Sequence, residues 1–142
     1  MRSDDGGPKL AVLPPFLQVG FRVDDDSTRY CALLAESDVA QQEGMQGKSD
    51  LLGYDAMVFA FKEDTRVSFI NHFVPIDLSI GWYDRRGRLV DDTTMQACPS
   101  GKDCPTYASK QPFRYAVETP AGRLAALGLT SPGATLHVGG GC

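Results

Sequence analysis

The sequence predicts a mainly β fold, a compact β-sandwich or barrel of about seven to nine short strands with two short helices. The prediction rests on the close spacing of strand-like segments, on the turn-forming residues between them, and on the shortness of the helical candidates. A doubly wound α/β fold needs longer helices between its strands, so the β architecture is favoured, with α+β folds as the alternative.

The chain of 142 residues is long enough to bury a core, and we expect a single β domain over residues 10–138. Residues 1–9 are polar and Gly-rich, which predicts a disordered arm. Three consecutive glycines precede Cys142, so residues 139–142 are predicted to form a flexible tail.

The strand candidates are short apolar segments bounded by turn-forming residues. In chain order they are residues 10–13, 16–23, 30–35, 56–61, 66–70, 76–83, 88–92, 113–118 and 134–138. Residues 56–61 are almost all apolar, which predicts a strand buried on both faces. Apolar and polar side chains alternate in residues 76–83, which predicts a half-buried strand.

Both helix candidates have signals at their ends. Ser37 can cap a first helix, which Gly44 ends. Pro120 can begin a second helix, which Gly128 stops. The segment 93–112 lacks either pattern and is predicted to be a long loop.

The charge and hydropathy of the chain limit its partners. The formal charge of −4 argues against general nucleic-acid binding, because contact with phosphates needs a basic surface. No apolar run approaches the roughly 20 residues of a membrane-spanning helix, so no transmembrane segment is expected. We expect a monomer that uses no cofactor and no metal, with a small polar ligand or an envelope component as its partner.

Four cysteines bear on the cellular compartment. Cys98 and Cys104 flank a turn-rich loop that can bring them together, and a disulfide is favoured there over free thiols or a metal site. Cys31 fits a buried strand position but could pair with Cys142, which could equally remain a reactive thiol, and the sequence leaves this open. Because a disulfide implies an oxidising compartment, we predict an extracytoplasmic protein (periplasmic, secreted or on the cell surface) whose leader is absent from this sequence.

An ordered set of short motifs resembles a family of bacterial and archaeal proteins of unknown function, DUF192, also called UPF0127. The motifs are Ala35-Glu36-Ser37, Gly44-Met45, Ala56-Met57-Val58-Phe59-Ala60-Phe61, Asn71 with Pro75-Ile76-Asp77, Tyr107-Ala108-Ser109, Val117-Glu118, Pro120-Ala121-Gly122 and Leu127-Gly128-Leu129. The resemblance covers about residues 28–138. The resemblance implies a compact, mainly β fold and often an exported or lipid-anchored bacterial protein, and it implies no known reaction.

The chain departs from the family pattern at several polar positions. Gln41 stands where relatives usually carry Arg, and Gln46 replaces a Met. Phe69, Ile70 and His72 stand in place of a Met, a Lys and a Thr. If the Arg, Lys and Thr of relatives build an anion or polar-ligand site, this chain has lost much of it.

The best candidate site combines Asn71 and His72 with the carboxylate of Asp77. Asn and His can fix a ligand by hydrogen bonds, and a carboxylate can orient or deprotonate the His. Glu118 could form a carboxylate pair with Asp77, and Tyr107 is the best candidate for an exposed aromatic ring. These five residues are the predicted ligand-binding set. The alternative for each is structural, such as a backbone hydrogen bond for Asn71 or a surface ion pair for Glu118.

Two functional hypotheses follow from this constellation. The first is an exported, non-enzymatic β domain that binds a small polar molecule, an envelope polymer or a protein partner. The second is a hydrolase in which Asp77 or Glu118 works with His72. The chain has no Gly-x-Ser-x-Gly motif and no Gly-rich phosphate loop, so binding is favoured and no residue is assigned a catalytic role. A His–carboxylate pair in a closed pocket would favour the hydrolase.

Overall fold

The computed structural model describes residues 10–142, so the predicted arm at residues 1–9 lies outside the described part. Within that part the chain forms nine strands and two short helices. The strands are β1 Leu17–Val23, β2 Tyr30–Ala35, β3 Ala56–Thr65, β4 Phe69–Ile70, β5 Leu78–Tyr83, β6 Leu89–Met95, β7 Thr106–Tyr107, β8 Phe113–Pro120 and β9 Leu136–Val138. The helices are α1 Asp38–Glu43 and α2 Arg123–Ala126.

Seven strands form one curled sheet in the order β6-β5-β8-β3-β2-β1-β9, and β4 pairs with β7 beside it. The β2–β3 pair is parallel, whereas the other pairs in the sheet are antiparallel. Parallel neighbours need a crossover connection, and α1 lies in that connection. The prediction of a compact, mainly β fold is therefore confirmed.

Apolar side chains cover both faces of the sheet. One cluster contains Met57, Trp82 and Phe113, and the other contains Phe21 and Tyr83. Successive residues of β3 enter alternate clusters, because side chains along a strand point to opposite faces. The expectation that residues 56–61 form a strand buried on both faces is confirmed over most of their length.

Two strand expectations need correction. β5 is buried on both faces rather than half-buried, because Gly81 and Tyr83 pack on the face opposite Trp82. The buried hydroxyl of Tyr83 donates a hydrogen bond to the carbonyl of Leu129 at 2.7 Å. Residues 10–13 form no strand, and the hydroxyl of Tyr54 instead donates to the carbonyl of Ala11.

Two disulfides cross-link the described part of the chain. Cys98 is bonded to Cys104, as the sequence favours, and the thiol and metal alternatives for this pair are thereby excluded. Cys31 is bonded to Cys142 across a separation of 111 residues. The amide of Gly20 also donates to the carbonyl of Gly140 at 2.9 Å. These contacts attach the end of the chain to β1 and β2, and the disulfide gives Cys142 the partner that the sequence left open.

None of the helices in residues 10–142 has the length and apolar character needed to span a membrane.

Candidate functional site

A cleft of about 630 Å³ opens between α1 with its following turn and the segment 67–74. Residues of β3 and β8 form its floor. Clefts of this size commonly hold small organic ligands, which bind in cavities of about 300–1,000 Å³. The cleft is therefore the candidate functional site.

Glu118 lines the floor of this cleft and is only 4% exposed. On β8 it lies opposite Met57 of β3 and Ile80 of β5, so its neighbours in the sheet are apolar. No residue in 10–142 donates a hydrogen bond to its carboxyl group, and burial raises its pKa to about 8. At neutral pH most of the population is the uncharged acid, which can both donate and accept a hydrogen bond.

Aromatic side chains form the apolar part of the cleft wall. Phe59 and Phe69 meet edge to face with their ring centroids 5.2 Å apart, and both line the cleft. Met45 and Val74, both buried, add aliphatic surface. This wall suits the apolar body of a ligand, because aromatic rings offer large contact areas in fixed positions.

Asn71 is also in the cleft wall and is 2% exposed. Its side-chain amide donates to the carbonyls of Ile76 and Gln96, at 3.2 and 3.0 Å. The NH₂ group is thus used by the fold, and it holds the turn before β5 against the end of β6. The amide oxygen accepts no hydrogen bond from any described residue, so it can accept one from a ligand.

His72 borders the cleft with its ring centroid 5.2 Å from that of Phe73. Its Nδ1 is buried and has no hydrogen-bond partner among the described residues. Buried polar atoms usually have partners, so this nitrogen is unusual, but it is not itself exposed to the cleft. No carboxylate in residues 10–142 pairs with His72.

Asp77 and Tyr107, the other predicted site residues, do not line the cleft. The carboxylate of Asp77 accepts a hydrogen bond from the amide of Ala97 at 2.8 Å. The hydroxyl of Tyr107 accepts one from the amide of Gln96 at 3.0 Å. Both side chains fasten the chain just after β6, as Asn71 does. The structure therefore brings Asn71, His72 and Glu118 to one cleft and leaves the other two outside it.

Sequence reasoning missed most of the cleft wall. Phe59 and Phe69 were not site candidates, because an apolar residue that lines a cleft has the same sequence signal as one in the core. Gln41 also lines the cleft, and its side-chain amide donates to the carbonyls of Ala35 and Ala60 at 3.2 and 2.9 Å. The departure from Arg at this position was the one signal that pointed to it.

Comparisons with known proteins give a family and a fold. The model of the DUF192 family, described as "Uncharacterized ACR", matches residues 21–138. The crystal structure of a Sinorhizobium meliloti 1021 protein, provisionally described as a transcription regulator, has a TM-score of 0.72 at 21% identity. The match covers 87% of this chain and 95% of that one. A protein of unknown function from Novosphingobium aromaticivorans DSM 12444 has a TM-score of 0.69 at 22% identity, with 93% and 99% covered. No curated protein sequence matches.

The fold and the cleft define a compact, mainly β domain with a small-molecule-sized cleft above a buried carboxyl group. The chain belongs to the DUF192 family, because the family match spans most of its length. The resemblance noted in the sequence is thereby confirmed. The solved structures share the fold and support no specific function for this chain.

Proposed function

We propose that the protein is a non-enzymatic binding domain that holds a small, partly polar organic molecule in the cleft. The observation that supports this most is the side chain of Glu118, which is buried in the cleft floor without a partner from residues 10–142. Burial of an unpaired polar group costs free energy, and a ligand that supplies the missing hydrogen bond recovers part of it. The amide oxygen of Asn71, which the fold leaves free, offers a further contact.

The second candidate is a hydrolase that uses Glu118 as a general acid. It is favoured by the raised pKa of Glu118, since an acid with a pKa of about 8 is protonated at neutral pH and can transfer its proton. It is opposed by the position of Asp77, whose carboxylate lies outside the cleft and accepts a hydrogen bond from a backbone amide, so it cannot act as the second carboxylate. Binding is therefore the stronger proposal.

The proposed location is extracytoplasmic, in the bacterial envelope or outside the cell. The two disulfides support it, because such bonds persist in oxidising compartments and are rare in the cytosol. An envelope component or another small molecule of that compartment is accordingly the proposed source of the ligand.

The test is a thermal-shift screen against sugars, nucleotides, amino acids, amines and metals, followed by NMR titration of each hit. A ligand at 100 times its dissociation constant adds about 2.7 kcal/mol to the free energy of unfolding. We expect hits to shift the amide signals of residues 44–46 and 67–74, which border the cleft. Hits that shift only signals elsewhere would overturn the assignment of this cleft.

A further inference from the structure

We propose that the ligand is an organic amine, with its ammonium group on the carboxylate of Glu118 and its apolar body against Phe59 and Phe69. This inference deepens the proposed function and rests on it. It assigns a chemical class to the ligand from the charge and the shape of the cleft wall.

The ionisable lining of the cleft consists of three acids and His72. Asp38, Glu43 and Glu118 contribute carboxyl groups, and no Lys or Arg of the described residues lines the cleft. Glu43 is paired with Lys48 at 3.0 Å, so its charge is largely compensated. Asp38, in the first turn of α1, is exposed and forms no ion pair with a described residue. With Glu118 protonated and Glu43 paired, Asp38 is the acid of the described lining whose charge is uncompensated, and it favours a cation over an anion at the cleft mouth.

The aromatic wall also suits a cation. Phe59, Phe61 and Phe69 line the same cleft as Glu118. The faces of aromatic rings attract ammonium groups and accept alkyl or aryl groups. A small amine thus finds both of its parts matched within about 630 Å³.

The buried carboxyl group couples amine binding to proton release. Without ligand, burial keeps most of Glu118 protonated at neutral pH, because its pKa is about 8. An ammonium group at the carboxylate favours the ionised form, and the proton of the acid leaves to solvent. A neutral ligand such as an alcohol can bind the protonated acid and releases no proton. Proton release therefore separates the two ligand classes.

The experiment compares three probes that share a benzyl group: benzylamine, benzyl alcohol and phenylacetate. Each is titrated into the full chain at pH 7 by NMR, and benzylamine also by calorimetry in two buffers of different ionisation enthalpy. We expect benzylamine to bind at the cleft about tenfold more tightly than benzyl alcohol, the factor of one charge-assisted hydrogen bond, with proton release. Glu118→Gln should remove both the preference and the proton release. Glu63→Gln, an exposed acid outside the cleft, should change neither.

The outcomes are distinguishable. Equal binding of amine and alcohol, or tighter binding of phenylacetate, overturns the amine inference and leaves the cleft as a binding site. A preference for amine that survives in Glu118→Gln assigns the effect to other acids and also overturns it. If no probe shifts signals of residues 44–46 or 67–74, the amine inference fails, and the proposed function fails with it if the wider screen is blank. An amide spectrum of Glu118→Gln with native dispersion establishes that the variant is folded.

Discussion

Glu118 on β8 lies directly opposite Ile80 on β5, so a carboxyl group and an aliphatic side chain share one face of the sheet. Ile80 is fully buried and Glu118 nearly so. Such a position disfavours the charged form of the acid, because the ion loses its hydration and gains no partner among the described residues. The pKa of Glu118 is accordingly raised to about 8.

This raised pKa predicts that the protein loses stability as pH rises from about 5 to 9. In that window the folded state holds a proton on Glu118 that the unfolded state has released, so the free energy of unfolding falls with pH. Each unit of pKa difference is worth about 1.4 kcal/mol, so the total loss is on the order of 4 kcal/mol. Urea denaturation at pH 5, 7 and 9 measures it.

Two variants isolate the contribution of Glu118. Glu118→Gln has no ionisable group there and should show a flatter pH profile and a higher stability than the parent at pH 9. Glu63→Gln, at an exposed site on β3, should follow the parent profile. A parent profile that is flat, or one that slopes equally in Glu118→Gln, would contradict the assignment.

Asn71 predicts a second stability effect, caused by its two donated hydrogen bonds. Asn71→Ala should lower the free energy of unfolding by about 1–3 kcal/mol, because two partly buried hydrogen bonds to the carbonyls of Ile76 and Gln96 are lost. Asn71→Asp keeps the shape but presents carboxylate oxygens to those carbonyls, so it should be at least as damaging. Denaturation of Gln46→Ala, which removes a solvent-exposed hydrogen bond, provides the comparison and should shift stability by about 0.5 kcal/mol or less. A result for Asn71→Ala as small as this would reject the structural role.

Local patterns were enough to predict most of the fold. The apolar run of β3, the Ser37 cap of α1 and the ordered family motifs each depend on residues close together in the sequence. The burial of both faces of β5 could not be predicted, because Tyr83 is covered by the segment around Leu129, some 46 residues later in the chain. A strand pattern shows which residues alternate, and it does not show what covers the second face.

The lining of the candidate cleft was predicted only in part for a similar reason. Asn71 and His72 were candidates as a polar pair at a strand entry and Glu118 as the close of a strand, and the structure brings all three to one cleft. Asp77 was an equally good candidate, yet its carboxylate accepts a hydrogen bond from the amide of Ala97. This contact depends on where β6 ends, which the sequence around Asp77 does not show. Tertiary placement alone separates a ligand contact from a backbone contact for such residues.

Tyr83 gives a third prediction, on a hydrogen bond buried between β5 and the segment after α2. Tyr83→Phe removes the donor to the Leu129 carbonyl and should destabilise the protein by about 1–3 kcal/mol. Tyr115→Phe, at a partly buried tyrosine whose hydroxyl has no partner among the described residues, should cost less. Thermal denaturation of both variants gives the comparison, and equal shifts would show that the Tyr83 hydrogen bond is not what matters.

The two disulfides predict different consequences when each is removed. In the chain-entropy description, a cross-link stabilises by restricting the unfolded chain, and the effect grows with the loop it closes. The Cys31–Cys142 bond closes a separation of 111 residues, so replacing both cysteines by Ser should cost about 4–5 kcal/mol. The Cys98–Cys104 bond closes a separation of 6, and its removal should cost about 2 kcal/mol. Urea denaturation without reductant measures both losses.

Removal of the Cys98–Cys104 disulfide, although it should cost less stability, should be the change that disturbs the cleft. Cys98 accepts a hydrogen bond from the amide of Phe73 at 2.9 Å and donates one to the carbonyl of Val74 at 3.0 Å, so its loop holds the wall beside His72. Amide signals of residues 71–74 should therefore shift in Cys98→Ser/Cys104→Ser and stay in place in Cys31→Ser/Cys142→Ser, provided both variants are folded. Shifts at 71–74 in the second variant alone would mean that the chain terminus, rather than the short loop, supports this wall.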